Sequence, residues 1–297
     1  MEIKSKHFFF LFAILFMGAG TLQSKVDEQV KYHLVRLDDM GMCHSVNMAI
    51  KQIIETGIPV STSVMFACPW YQEAVEILKQ HPEVSVGIHL TLNAEWKNYR
   101  WGPIIGREAA SSLVDENGYF LPARSILFSR NPEVPQIEQE LRAQIERAMG
   151  SGLNIDYVDY HMGAAVETLE LRGIVEDLAA EHGLAMVYYL GEKSSSATYF
   201  PTFDAKLDSL ISNVNAIGPG INLQVVHVAL DTAEMRALED LNTFGLKEMS
   251  KHRVSELNAI ISPRFRKALK ANKIKSITYA DLIKMVGLEN MSRPELE

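Results

Sequence analysis

Strand-like and helix-like segments alternate along most of this chain, and that alternation leaves few folds open. Tyr32 to Leu37 is an apolar run ending in Asp38-Asp39, and Val46 to Glu55 reads as a helix. Pro59 to Phe66 is short and β-branched, Pro69 opens a helical stretch to Gln80, and Val84 to Leu90 is the next strand. A long segment, residues 91–131, is rich in Gly, Pro, Trp and Tyr and has no clear period, as functional loops often do. Helix at Glu133 to Met149, strand at Ile155 to Tyr160, helix at Val166 to His182 and strand at Leu184 to Leu190 follow. Ile221 to Val228 is a later strand. Helical pattern then runs from Lys247 to Ala271 with a break at Ser262-Pro263, and Ile274 to Thr278 is a last strand before a terminal helix. Such alternation implies parallel strands joined by crossover helices. About seven strands fit an α/β fold of the β/α-barrel kind, TIM-like but distorted. A doubly wound open sheet is the alternative, because periodicity does not report closure.

The first residues read differently. Lys4 and Lys6 precede an unbroken apolar run from Phe8 to Met17, then small residues at Gly18, Ala19 and Gly20, then polar sequence. That is the pattern of an export signal, and the run is short for a bilayer-spanning helix of about 20 residues. The expectation is a signal peptide at 1–24, a single barrel domain at 25–297, and a periplasmic or secreted mature protein without a stable membrane span. With 29 Lys+Arg against 37 Asp+Glu, the net charge of −8 repels phosphate backbones, so nucleic acid is not an expected partner. Two cysteines, Cys43 and Cys68, cannot make a disulfide scaffold, and the sequence leaves open whether they pair. It also leaves open whether the protein is a homodimer.

Polar residues sit at the ends of the apolar runs. Asp38 and Asp39 close the first strand and His89 the third; His161 follows Ile155 to Tyr160, and His227 lies near the end of the strand from Ile221. In a β/α barrel those ends converge on the face that carries the active site. One carboxylate with two imidazoles makes a mixed oxygen/nitrogen metal site with positions left for water and substrate, and a second carboxylate beside it can act as a base. A lone His at a strand end is usually a capping or core residue, but several together point to one pocket. Asp159, two residues before His161 and on its side of the strand, is placed either to orient that histidine or to serve as a buried structural carboxylate. Trp96 and Trp101 are placed either to stack on a sugar ring or to pin the long loop. His33, His44, His81, His182 and His252 fall where solvated roles are expected.

These residues carry a resemblance. Leu37-Asp38-Asp39-Met40-Gly41 with Ser45-Val46-Asn47, the stretch Val86-Gly87-Ile88-His89-Leu90-Thr91-Leu92, the Asp-X-His ending of Ile155 to His161, and Val226-His227 followed by Arg253 and Glu256-Leu257 resemble, in order, the motifs of the YdjC-like carbohydrate deacetylases. The resemblance implies a barrel of the glycoside hydrolase/deacetylase type that binds one divalent ion (Zn, Co, Mn or Mg). It implies Asp39, His89 and His161 as metal ligands, Asp38 as the base and His227 as the acid. Arg253 is a candidate for contacting the substrate, an N-acetylated amino sugar or oligosaccharide hydrolysed to acetate and free amine. The chain departs from the family pattern twice: Met162-Gly163 stand where further histidines are usual, and Val228-Ala229 replace Pro-Gly. Two rival readings stay open: a glycan-binding barrel with little turnover, and another metal-dependent barrel enzyme such as a phosphoesterase or sugar isomerase.

Overall fold

The first five strands in the computed structural model, which describes residues 26–294 except 28 and 196, are almost wholly buried. The segment expected to be a signal lies outside the described residues. The strands are β1 Lys31–Met40, β2 Ser61–Val64, β3 Ser85–Leu90, β4 Tyr157–Tyr160, β5 Ala185–Met186, β6 Lys193–Ser195, β7 Gly220–Val226 and β8 Lys275–Ile277. All pairings between them are parallel, in the order β5-β4-β3-β2-β1-β7-β6. β7 holds one edge of β1 over Lys31–Leu37; β8 at Tyr32–Leu34 and β2 from Arg36 onward share the other. Among the described residues no ladder joins β5 to β6, so the sheet is a curled, incomplete barrel.

The expected strands are present, with two differences. The run Leu184–Leu190 pairs only at Ala185–Met186, because its remainder turns away at Tyr188, whose φ is 73°. β6 was not expected: Lys193–Ser195 is polar and partly exposed, so it carries no apolar signal.

Strand alternation sorts β1 into two layers. Tyr32 and Leu34 face inward and meet Tyr157, Leu223, Ile277 and Tyr279 in a small core inside the curl. Val35 and Leu37 face outward into the larger core beneath the helices. Gly87 of β3 permits the inner packing, since a Cβ there would lie 2.2 Å from the Tyr157 ring. Crossover helices such as His44–Glu55, Val134–Met149 and Leu169–Glu181 cover the outside. Ser262 caps the helix Pro263–Ala271, accounting for the break read at Ser262-Pro263. No helix among the described residues is long and apolar enough to cross a membrane.

The long loop is ordered by the helix beneath it. Glu140 on helix Val134–Met149 accepts the N–H groups of Ile104 and Ile105, and Gln144 bonds both backbone groups of Thr91. Segment 239–242 pairs with the loop's start: Lys97 N–H donates to Glu239 and Leu241 N–H to Glu95. Cys43 and Cys68 are buried free thiols.

His33 is not solvated, contrary to expectation. It faces the outer layer against Phe265, 1% exposed, and neither ring nitrogen has a hydrogen-bond partner. Burial lowers its pKa to about 4 from an ordinary 6.5. The unfolded chain therefore takes up this proton first, so stability is full above about pH 6.5 and declines as pH falls toward 4. The loss contributed by this one group is on the order of 3 kcal/mol. In urea titrations between pH 4 and 7, a His33→Leu chain should show a flatter decline than the natural one. Parallel declines would show that His33 finds a proton acceptor in the fold.

Candidate metal and catalytic centre

The end of β1 builds the centre through a bulge. Leu37 pairs with Thr62 and Met40 with Val64, so three residues of β1 oppose two of β2. Asp39 absorbs the extra residue in the left-handed region, at φ 67°. Adjacent strand residues normally face opposite ways. Here the bulge turns both Asp38 and Asp39 toward one cleft. The turn is held from behind by Asn47, whose side-chain oxygen accepts the Gly41 N–H at 2.7 Å and whose amide reaches Trp70 O and Glu73.

Asp39 divides its two oxygens. Oδ2 accepts from Arg253 at 2.6 Å. Oδ1 is buried without a hydrogen-bond partner and lies 3.5 Å from His89 Nε2 and 3.4 Å from His161 Nδ1. Burial alone would raise the Asp39 carboxyl; Arg253 and the two imidazoles override it and hold it well below the usual carboxylate range.

Each imidazole is turned by a carboxylate on its far nitrogen. His89 Nδ1 meets Asp159 at 2.8 Å, because the two residues are register partners on β3 and β4. His161 Nε2 meets Glu95 at 3.0 Å. In the neutral rings these bonds would place the N–H on the outer nitrogen and leave the inner one, facing Asp39 Oδ1, free to ligate once its proton is given up. Burial opposes charge on both rings, yet the carboxylates raise His89 to about 9, Asp159 acting most, and His161 to about 10, Glu95 acting most.

The residues fit a divalent cation. Ligands about 2.0–2.1 Å from a tetrahedral ion stand roughly 3.3 Å apart, close to the two separations from Asp39 Oδ1. An unpartnered buried oxygen facing two imidazole nitrogens is costly unless something is shared among them. A second grouping, Asp38, His89 and Asp159, is also tight enough for an ion, but Arg36 already occupies its carboxylates.

Asp38 is buried and held in a fork: Arg36 Nε and Nη2 donate to its two oxygens at 2.7 and 2.8 Å. Arg36 Nη1 lies 3.1 Å from Asp159, so one cation spans Asp38 and the carboxylate behind His89. His227 stands just past β7 with Nε2 3.9 Å from Asp38 Oδ2. Its backbone N–H donates to Glu256, its ring meets Tyr199 edge-on, and Glu256 is neutralised by the buried Lys206.

The structure thus gathers Asp38, Asp39, His89, His161 and His227 around one cleft of about 250 Å³. Three expectations change. Asp159 orients His89 and not His161, because neighbouring strands bring it opposite the former. Trp101 offers no face to a sugar: it is 3% exposed, and its N–H is spent on Asn93 O. Trp96 forms part of the cleft wall but is 1% exposed, with Arg253 over its ring, so it too offers no open stacking face. Arg253 also lines the cleft, anchored to Asp39, with Nε and Nη1 left without hydrogen-bond partners.

Arg36 and Glu95 were not singled out from the sequence. Arg36 sits two residues before Asp38 and hence on the same strand face, a signal hidden by reading Tyr32 to Leu37 as apolar. Glu95 belongs to the long loop, where no spacing points to His161.

The family model described as YdjC-like protein matches residues 34–271. A carbohydrate deacetylase from Geobacillus stearothermophilus is 28% identical over 266 residues, covering 86% of this chain and 99% of its own. One from Thermoanaerobacter pseudethanolicus is 32% identical over 148 residues, 50% of this chain and 56% of the relative. The crystal structure of an Enterococcus faecalis protein, named as a candidate for cellobiose-phosphate cleavage, superposes with a TM-score of 0.71 at 22% identity. It covers 85% of this chain and 99% of the other, a likeness that speaks for the fold.

Proposed function

The chain belongs to the YdjC-like family, and from that premise we propose that it is a metal-dependent carbohydrate deacetylase that hydrolyses N-acetyl groups of amino sugars to acetate and free amine. The observation that carries the metal dependence is the unpartnered Asp39 Oδ1 facing His89 and His161, each imidazole turned by its own carboxylate. The names of the relatives support the reaction class. Asp39, His89 and His161 would hold a divalent ion, which when bound would supply Lewis-acid polarisation of a carbonyl.

The chain's own groups supply the proton transfers. Asp38 accepts a proton from the attacking water; Arg36 keeps the carboxylate oriented, and a carboxylate has lone pairs left after two such bonds. His227, on the Asp38 side of the cleft and partly open to it, donates a proton to the departing amine. Burial of Asp38, Asp39 and His89 keeps water from screening these charges.

The test reads acetate. Purified protein supplied with Zn, Co, Mn or Mg should release acetate from N-acetylglucosamine or its oligomers, lose that activity on chelation, and regain it when the ion is returned. Release that survives exhaustive chelation would remove the metal from the proposal. No release from any N-acetylated sugar, with the ion bound, would favour a glycan-binding barrel.

A further inference from the structure

Two buried arginine–aspartate pairs stand side by side at the end of β1, and they are made differently. Arg36 takes both oxygens of Asp38, its Nε and Nη2 donating at 2.7 and 2.8 Å. Arg253 takes one oxygen of Asp39, Nη2 donating to Oδ2 at 2.6 Å, and leaves Oδ1 between His89 and His161. We propose that Arg253 is a positioning residue that keeps Asp39 a one-oxygen ligand, so that a bound ion retains an open position for water and substrate. This rests on the metal reading of the centre and extends it to how the chain limits the ligands it supplies.

A fork is the strong geometry for an arginine–carboxylate pair, because two parallel bonds hold better than one. Arg253 has the donors for it. Its Nε and Nη1 are buried without hydrogen-bond partners, a costly state for groups on a charged side chain. A fork would satisfy one of them, but it would also consume Oδ1. The arrangement forgoes the stronger pair, and what it keeps is a free oxygen facing two imidazoles.

The fold fixes both partners in this geometry. Asp39 takes its direction from the bulge, at φ 67°. Arg253 lies on the helix Met249–Ile261, whose inward face carries Met249, Arg253, Glu256 and Ile260 at three- and four-residue spacing. Glu256, less than one turn on, accepts the His227 N–H and meets the buried Lys206, which anchors the helix beside the centre. The Trp96 ring packs against the guanidinium at 5.7 Å, and its own N–H is directed to Met42 Sδ at 3.3 Å. These contacts keep the guanidinium from sliding toward Oδ1.

Two imidazoles and one carboxylate oxygen leave a fourth position on a tetrahedral ion. A carboxylate free to turn can bind a cation through both oxygens, and the second bond fills the place of a water. Oδ2 is held from that role by a charged donor at 2.6 Å. Arg253 also offsets part of the carboxylate's charge, so its removal should strengthen the attraction of Asp39 for a cation. A residue that merely props a ligand has the opposite sign: its loss weakens metal affinity, typically by about 10–100-fold.

Cobalt binding distinguishes the two, because four- and five-coordinate Co²⁺ absorbs visible light several times more strongly than the six-coordinate ion. Arg253→Met fills the space beside Trp96 without charge. It should bind Co²⁺ at least as tightly as the natural chain, while its visible absorption falls severalfold. Arg253→Lys keeps a charged donor and should stay close to the natural spectrum. On the deacetylase reading, Arg253→Met should also lose about 10²-fold in kcat with KM little changed. Affinity lower by roughly 10–100-fold with an unchanged spectrum would make Arg253 a prop and overturn the proposal. X-ray absorption on the cobalt-loaded natural chain needs no variant, and so covers the case in which Arg253→Met does not fold. It should lack the short metal–carbon separation that a two-oxygen carboxylate produces, and finding that separation sinks the proposal. The outcomes separate from those of the wider reading. A natural chain that binds no divalent ion removes the metal reading and this role of Arg253 with it. A chain that binds Co²⁺ through one carboxylate oxygen, yet releases no acetate, sinks the deacetylase only.

Discussion

On the proposed function, Asp39→Asn is expected to bind a divalent ion far more weakly than the natural chain, whereas Asp38→Asn should keep that affinity and lose turnover. Only Asp39 has an oxygen facing both imidazoles, and that oxygen has no other partner. Removing its charge should weaken affinity by more than the 10–100-fold typical of changes behind the ligands. Asp38 has both oxygens on Arg36 and none between the histidines. Its replacement removes the base, at about 10²–10⁴-fold in kcat. Metal content after dialysis and acetate release at saturating metal, measured on both variants, decide the matter. Because each carboxylate neutralises a buried arginine, melting temperatures must accompany them; breaking such a pair costs about 3–5 kcal/mol. Retained metal in folded Asp39→Asn, with metal lost from Asp38→Asn, would exchange the roles. The pH dependence has a definite sign. His89 and His161, raised to about 9 and 10, must give up protons to bind a cation. Metal affinity of the natural chain should therefore increase as pH rises toward that range.

Much of this centre is legible in the sequence, for a physical reason. Parallel strands converge at their C-terminal ends, so Asp38-Asp39, His89, His161 and His227 had to meet once the strands were found. What alternation could not supply was the bulge. Read as an ideal strand, β1 sends Asp38 and Asp39 to opposite faces, and only the left-handed turn at Asp39 reunites them. Contacts between elements distant in sequence were equally out of reach. Glu95 reaches His161 because segment 239–242 pairs with the loop's start, and loop partners leave no periodic trace. The same limit explains Asp159: its spacing from His161 was legible, but its bond to His89 depends on strand register. His33 shows the opposite failure. Its place near a strand start suggested solvent, while the helix Pro263–Ala271 closes over it. Closure of the sheet was never encoded in pattern, and among the described residues no ladder joins the end strands β5 and β6 to each other.

His227→Ala is expected to retain the metal and lower kcat by about 10²–10⁴-fold. The reasoning is geometric. Nε2 approaches Asp38, at 3.9 Å, while the grouping that suits the ion draws on Asp39, His89 and His161. Its backbone is tied to Glu256, which also meets Lys206 and Thr198, and its ring packs against Tyr199. The ring is therefore held in place by groups that take no part in the chemistry, and truncating it leaves those bonds intact. A group that donates a proton to the departing amine acts in the step where that amine leaves, so the variant's loss should sit there. The loss should also depend on the leaving group. An acetylated amine that departs without protonation, such as an N-acetyl group on an activated aniline, should be hydrolysed by the variant nearly as well as by the natural chain. If the variant loses metal, His227 belongs with the ligands. If it keeps metal and rate alike, the proton comes from another group, and the acid role falls.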